Sequence, residues 1–82
     1  MKYADKELIL LLRQGEIKAF DELYFRYVPQ LLRFSQTYIA DKTESEEAVQ
    51  EVFIKIWERR MTLNGSRNFR SYLFQSVKNH LL

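Results

Sequence analysis

The sequence predicts an all-α fold, a small helical bundle of three to four helices in one domain spanning residues 1–82. Two glycines and one proline leave little material for turns, and a hydrophobic fraction of 46% suffices for one core. Apolar residues also recur at helical spacing. The chain contains no cysteine, and its longest apolar run, Leu8–Leu12, is far shorter than a membrane span. We therefore expect a cytoplasmic protein without membrane insertion.

The first predicted helix is short. Asp5 is its expected N-cap, because an aspartate side chain can accept hydrogen bonds from the N–H groups of a first helical turn. The apolar run Leu8–Leu12 supplies its buried side. Gly15 is expected to end the helix, since glycine readily adopts the left-handed conformation that closes helices.

The second predicted helix is long and carries an apolar seam at alternating steps of three and four residues. Pro29 interrupts it. Because proline lacks a backbone N–H and clashes with the preceding turn, we predict a kink near Arg26 or a break at Val28. The seam residues are expected to form core and to carry no chemistry: Phe20, Leu23, Tyr24, Tyr27, Leu31, Phe34 and Tyr38.

The third predicted helix, Glu44–Arg60, has two distinct faces. Thr43 and Glu46 are spaced as a capping box at its start, with Asp41 as a less favoured cap. One face is apolar and is expected to join the core: Val49, Val52, Phe53, Ile56 and Trp57. Acidic and amide side chains surround one isoleucine on the opposite face: Glu47, Gln50, Glu51, Ile54 and Glu58. This second face is either a docking surface for a partner or a solvated surface with one stray isoleucine.

A loop follows over residues 61–68, where Gly65 can adopt a positive φ. The last helix is predicted to begin near Ser66 or Asn68 and to reach Leu82 without a stop signal, which suggests a chain cut from a longer one. Its predicted inner arc consists of Phe69, Tyr72, Leu73, Ser76, Val77 and His80.

Charge is unevenly distributed along the chain. The net charge is +2, but residues 41–58 sum to −4 and residues 59–82 carry five cations and no acid. One end can thus attract a polyanion, while the neighbouring helix attracts a basic protein surface. Chance clustering of charge in a small domain is the alternative.

The sequence does not predict an enzyme, a cofactor or a metal site. It has one histidine, no cysteine, no glycine-rich phosphate loop and no GxSxG motif. His80 is expected to be a packed or partly exposed side chain. Glu47 and Glu51 share a helix face, but the second helix offers no matching ligands to complete a metal site.

Four stretches of the sequence follow the pattern of one family. They are GEIKAF at Gly15–Phe20 with Leu23 and Tyr27 after it, AVQEVFIKIW at Ala48–Trp57, the loop as far as Leu73, and the helix end with Asn79. In this order they resemble the N-terminal region 2 domain of extracytoplasmic-function (ECF) sigma factors of bacterial RNA polymerase. The resemblance covers nearly the whole chain. The second, helix-turn-helix domain of complete sigma factors of this type has no match here.

The resemblance implies two partners. The central helix would dock on the clamp coiled coil of the largest subunit of core RNA polymerase, a basic surface, through Glu47, Gln50, Glu51, Ile54 and Glu58. The family's more common aspartate is replaced by glutamate at Glu47. An anti-sigma factor that covers the same faces is a further expectation.

The second implied partner is promoter DNA, through the non-template strand of the −10 element, from which the family captures a flipped base. Leu63, Asn64 and Gly65 would form the capture loop, Lys55 and Arg59 would flank it, and Asn79 would face the base. Tyr72 stands where the family usually has tryptophan. The cations expected to hold the strand by its phosphates are Arg60, Arg67, Arg70 and Lys78.

Two other functions fit the same residues. A helical protein–protein interaction module without a nucleic-acid role would function without the basic end. A general DNA-binding helical domain would bind duplex DNA without polymerase. A sigma region 2 domain would instead bind polymerase through its acidic helix and prefer single-stranded promoter DNA.

Overall fold

Four α-helices and one 3₁₀ turn make up the structure, a computed structural model that describes residues 3–65 and 68–82. The helix α2 packs against each of the other three, and α3 also packs against α4. No strand occurs in the described ranges, and the predicted all-α fold class is confirmed. The elements in chain order are α1 (Asp5–Arg13), α2 (Ile17–Ser35), α3 (Lys42–Glu58), the 3₁₀ turn (Arg60–Thr62) and α4 (Phe69–Leu81).

Phe53 of α3 lies at the centre of the core with 1% of its surface exposed. Its ring meets those of Phe20 and Tyr24 edge-on, at centroid distances of 5.9 Å and 5.1 Å. Trp57 packs against Phe20 at 5.5 Å. Edge-to-face pairs of this kind contribute about 0.5–1.5 kcal/mol beyond the area that they bury. The predicted apolar face of the third helix is therefore a core face, with Trp57 at its half-buried edge.

The start of α1 differs from the prediction. Ala4, rather than Asp5, is the N-cap, and its backbone N–H donates to the Glu7 carboxylate at 2.9 Å. Asp5 is the first helical residue, and its carboxylate makes tertiary contacts instead. It accepts hydrogen bonds from Arg26 at 2.8 Å and from the Tyr27 hydroxyl. These bonds fasten the beginning of α1 to the middle of α2.

The start of α3 also differs. The predicted capping box of Thr43 and Glu46 is wrong, because Asp41 is the N-cap and its carboxylate accepts a hydrogen bond from the Glu44 N–H at 3.1 Å. The helix therefore begins at Lys42. A carboxylate at the N-cap also interacts favourably with the positive end of the helix dipole.

The predicted break in the second helix at Val28 is wrong, because α2 runs through Pro29 without interruption. Proline removes the bond to the Phe25 carbonyl, but Pro29 lies on the exposed side, where water can satisfy that oxygen. The helix ends at Ser35, so Tyr38 lies outside it.

The end of α2 follows from local hydrogen bonds. The Ser35 hydroxyl donates to the Leu32 carbonyl at 3.0 Å, and the Thr37 hydroxyl donates to the Phe34 carbonyl at 2.7 Å. Such bonds compete with the continuation of a helix.

Asn68 is the N-cap of α4 and accepts a hydrogen bond from the Ser71 N–H at 3.0 Å. Of the two predicted starts of this helix, the one near Asn68 is therefore correct. The predicted inner arc is only partly correct. Phe69, Leu73 and Val77 are buried, whereas Tyr72 and His80 are exposed.

The Tyr27 hydroxyl gives the fold a specific dependence on pH. Burial, and secondarily the hydrogen bond to Asp5, raises the pKa of Tyr27 from 10.0 to about 12. An unfolded tyrosine loses its proton near pH 10, whereas the folded one keeps it until about pH 12. The contribution of the protonated Tyr27 hydroxyl to the free energy of unfolding is therefore fully present below pH 10. It is lost as the pH rises to about 12, by at most about 1.4 kcal/mol per pH unit.

We predict that Tyr27→Phe lowers the free energy of unfolding at pH 7 by about 1 kcal/mol, the usual effect of one lost hydrogen bond. The variant should also lose less stability than wild type between pH 10 and 12. Urea denaturation followed by circular dichroism across this range measures both effects. Tyr3→Phe, which changes an exposed tyrosine, is the control. Parallel pH profiles for wild type and Tyr27→Phe would contradict the prediction.

Candidate functional site

Side chains of α3 and α4 line an open groove of about 270 Å³, the α3–α4 groove. Lys55 lines it from α3, Arg59 from the C-cap position of α3, and Asn79 from α4. The sequence predicted these three residues as DNA contacts from two separate segments, and the packing of α3 on α4 brings them together. The other lining residues are Val52, Ile56, Tyr72, Ser76 and His80. Since no carboxylate is among these described lining residues, the groove favours an anion.

A second cavity, the loop pocket, has a volume of about 360 Å³ and is formed where the loop meets α4. Thr62, Leu63 and Asn64 contribute from the loop, and Phe69 and Tyr72 from α4. Of the predicted loop contacts, Asn64 is exposed, whereas Leu63 is only 8% exposed and belongs to the core. Leu63 can therefore shape the floor of the pocket but offers little surface to a ligand.

Tyr72 lines both cavities, so the loop pocket and the α3–α4 groove are neighbours with a common wall. Its side chain is 41% exposed. Exposed aromatic rings next to cations are the combination on which unpaired nucleic-acid bases stack. The Asn79 amide oxygen accepts a hydrogen bond from the Gln75 amide at 2.9 Å, which orients the Asn79 side chain on α4.

Arg70 and Lys78 lie on the other side of α4, away from Asn79. They line a groove of about 340 Å³ together with Phe34, Tyr38 and Phe74, the α2–α4 groove. The Arg70 guanidinium lies over the Phe74 ring, 4.4 Å from its centroid, and its Nε donates to the Gln30 side chain at 3.4 Å. Three cations of the basic end, Arg59, Arg70 and Lys78, are thus divided between two grooves.

Two further predicted DNA contacts, Arg60 and Gly65, lie elsewhere. Arg60 is folded back onto α3: its guanidinium lies 4.3 Å from the Trp57 ring centroid and donates to the Trp57 carbonyl at 3.0 Å. Gly65 does not have a positive φ and instead lies against α1, where an added Cβ would be 3.4 Å from Lys6 Cγ. Arg67 lies outside the described residues.

The predicted docking residues form a continuous surface on α3, the acidic face, consisting of Glu47, Gln50, Glu51, Ile54 and Glu58. Glu51 is half-buried, the other four are exposed, and Ile54 retains 50% of its surface. Within the described parts of the chain, none of the three carboxylates forms an ion pair. They are therefore available to a basic partner.

Gln50 extends the acidic face towards α2. It lines a crevice of about 60 Å³ with Tyr24, Val28 and Leu32 of α2 and with Glu46 and Val49 of α3. Lys55, on α3, and Arg59, the C-cap of α3, line the groove between α3 and α4. An acidic surface and a basic groove thus lie next to each other on one helix.

Sequence reasoning missed Tyr72, Ser76 and His80 as groove residues and did not separate Arg70 from Asn79. Helix geometry contained the signal for this division. Arg70 and Asn79 are nine residues apart, which places them about half a turn apart around an α-helix, whereas Tyr72 and Asn79 are two turns apart on one side.

The described residues contain no group of three or more histidine, aspartate or glutamate side chains arranged to hold a metal ion. None of the helices within these residues is both long enough and apolar enough to span a bilayer.

Comparisons with known proteins point in one direction. Residues 23–82 match the family described as Sigma-70 region 2. The chain is 28% identical over 82 residues to the RNA polymerase sigma-H factor of Pseudomonas aeruginosa, in an alignment that covers 95% of this chain. That alignment covers 42% of the relative, so the chain spans less than half of the relative's length.

A solved structure extends the comparison to the fold. The NMR structure of an engineered region 2 of sigmaE in complex with GTAAAA superposes with a TM-score of 0.88 at 25% sequence identity. The superposition covers 99% of this chain and 86% of that chain.

Proposed function

Because the chain belongs to the Sigma-70 region 2 family, we propose that it acts in transcription initiation as a sigma factor domain of the ECF type. A domain of this family binds core RNA polymerase and the promoter −10 element. We assign the two tasks to adjacent surfaces of α3 and its C-terminal end. The observation that carries the assignment is the convergence of Lys55, Arg59 and Asn79 on one groove while the acidic face lies elsewhere on the same helix.

The α3–α4 groove and the loop pocket together are the proposed DNA site. Lys55 and Arg59 hold phosphates of the non-template strand, and Tyr72 offers a stacking surface to an unpaired base. Asn79 can present both a donor and an acceptor to a base edge. Asn64 borders the pocket that receives the flipped base. These roles are supported by the exposure of the five side chains and by the lack of a carboxylate among the lining residues that the structure describes.

The acidic face is the proposed polymerase site, and its partner is the clamp coiled coil of the largest subunit. An exposed isoleucine surrounded by carboxylates, which form no ion pair within the described part of the chain, has the composition of a docking surface with an apolar centre and a charged rim. Ile54 would be buried by the partner, and Gln50 and Glu51 would bond its polar groups. An anti-sigma factor that covers both sites would block activity by competition. The proposed place of action is the cytoplasm, where polymerase works.

The DNA assignment is tested with three double variants that each remove two positive charges. Lys55→Gln plus Arg59→Gln changes the α3–α4 groove, Arg70→Gln plus Lys78→Gln changes the α2–α4 groove, and Lys18→Gln plus Arg33→Gln is the control on α2. Fluorescence anisotropy measures binding to single-stranded oligonucleotides from a randomised pool and to GTAAAA, the oligonucleotide of the sigmaE complex. Matched duplexes are included.

We expect Lys55→Gln plus Arg59→Gln to lower the affinity for single strands by about tenfold or more. The variant should also lose one to two phosphate contacts, and each lost contact should reduce the slope of log affinity against log salt concentration by about 0.7. The control pair should change affinity by about twofold through general electrostatics. Equal losses in all three variants would refute binding in the groove. A preference of the wild type for duplexes would favour the general DNA-binding alternative, and absence of DNA binding would favour the protein-interaction module.

A further inference from the structure

The loop between α3 and α4 is held by a long-range hydrogen bond from α1. Arg13, the last residue of α1, donates from its guanidinium Nη1 to the Leu63 carbonyl at 3.1 Å. The two residues are fifty positions apart. A main-chain oxygen bonded to a charged donor is restrained more strongly than one bonded to a neutral group. The bond therefore fixes the loop backbone directly beside the loop pocket.

Two residues further along the loop, Gly65 lies close to α1. A Cβ added to Gly65 would be 3.4 Å from Lys6 Cγ, 3.6 Å from the Lys6 carbonyl oxygen and 4.0 Å from Ile9 Cγ2. A side chain at this position would therefore touch α1. Asn64, which is exposed and lines the loop pocket, lies between the hydrogen-bonded Leu63 and Gly65.

The helix α1 is itself held in place by the core and by α2. Leu8, Ile9 and Leu12 are each at most 2% exposed. At its other end, Asp5 is bonded to Arg26 and Tyr27 of α2. The family match begins at residue 23, so α1 lies outside the matched region. A residue of α1 therefore contacts the loop from a part of the chain to which the match assigns nothing.

We propose that Arg13 is a positioning residue for base selection: through the Leu63 carbonyl, it holds the loop in the conformation that decides which base the loop pocket accepts. The proposal rests on the proposed DNA site. Arg13 itself touches no base. Its removal should loosen residues 61–65 and weaken discrimination between bases, while contacts with phosphates in the α3–α4 groove stay intact.

The test uses Arg13→Met, which keeps an unbranched stem of similar shape but loses the guanidinium that donates to the Leu63 carbonyl. Arg33→Met, a change of the same kind on the exposed side of α2, is the control. Arg13→Lys should retain part of the base discrimination that Arg13→Met loses, because lysine can still donate a hydrogen bond. The first readout is the affinity for an oligonucleotide selected by the wild type, divided by the affinities for its single-base variants. The second is affinity for oligo-dT of the same length. The third is amide hydrogen exchange over residues 61–65.

Arg13→Met is expected to reduce discrimination at one base position by about tenfold, within the range of lost base-reading contacts. Its oligo-dT affinity should match that of Arg33→Met within about twofold, since both variants lose one charge. Exchange over residues 61–65 should accelerate only in Arg13→Met, and Arg13→Lys should fall between that variant and wild type. A merely structural role would change both affinities together and leave their ratio unaltered.

Two failures are distinguishable. If the wild type selects no sequence, the proposed DNA site fails and the role of Arg13 fails with it. If the wild type selects a sequence and Arg13→Met discriminates equally well, the DNA site stands and the role of Arg13 is refuted. If Arg13→Met does not fold, as judged by circular dichroism, Arg13→Lys decides between the outcomes: faster exchange over residues 61–65 together with wild-type discrimination would refute the proposal, and losses in both would support it.

Discussion

Phe53→Ala is expected to lower the free energy of unfolding by about 3–5 kcal/mol, the usual cost of removing a fully buried phenylalanine side chain. Phe53 is 1% exposed and contacts the rings of Phe20 and Tyr24, so truncation leaves a cavity between α2 and α3. A domain of 82 residues has a total stability of about 4–12 kcal/mol. The variant should therefore lose about a quarter or more of the total stability, and at the low end of this range it unfolds. Urea denaturation followed by circular dichroism measures the loss.

Phe25→Ala is the matched control, because Phe25 is 75% exposed and its ring approaches that of Tyr24 edge-on at a centroid distance of 5.9 Å. It should cost about 1 kcal/mol or less. Equal losses in the two variants would show that stability does not depend on the described core. Phe53→Leu, which fills part of the cavity, should fall between wild type and Phe53→Ala.

Gln50→Ala plus Glu51→Lys is expected to weaken binding to the isolated clamp coiled coil of a bacterial polymerase by about 100-fold or more. Reversal of a charge against a basic partner costs several kcal/mol. Truncation of Gln50, which lines the crevice between α2 and α3, removes the amide that we expect to bond the partner. Neither side chain is fully buried, so stability should change by only about 0.5 kcal/mol. Isothermal titration calorimetry measures the affinity.

Gln36→Ala plus Asp21→Lys makes the same two kinds of change at exposed positions on or next to α2 and should bind like wild type. Ile54→Ala separates the two interpretations of the acidic face. If Ile54 is only a stray solvated side chain, its truncation will leave affinity unchanged. If the partner buries it, affinity should fall by roughly tenfold or more, the effect of a contact at the centre of an interface.

The parts of the fold that the sequence predicted well are those set by periodicity. The two faces of α3 follow from spacing alone, because a helix with Val49, Val52 and Phe53 inward must present Glu47 and Ile54 outward. The family and the fold class are likewise confirmed. The individual contacts on the acidic face remain predictions.

The predictions were wrong where the outcome depends on tertiary structure or on access to water. Asp41 and Thr43 can both cap a helix, and only tertiary structure decides which side chain reaches a free N–H. Pro29 disfavours a helix, but its cost depends on whether water can reach the carbonyl that loses its donor. Leu63 was predicted to contact DNA from the loop. Its burial depends on packing with other helices, which the local sequence around Leu63 does not reveal.

The single tryptophan of the chain gives the domain an internal optical probe. Trp57 lies at the end of α3, with the Arg60 cation over its indole ring and the Phe20 ring against its edge. Indole emission responds to nearby charge and to water, so its intensity and wavelength report on the junction between α3 and the loop. Rearrangement of that junction by a bound partner can thus be followed in the unlabelled protein.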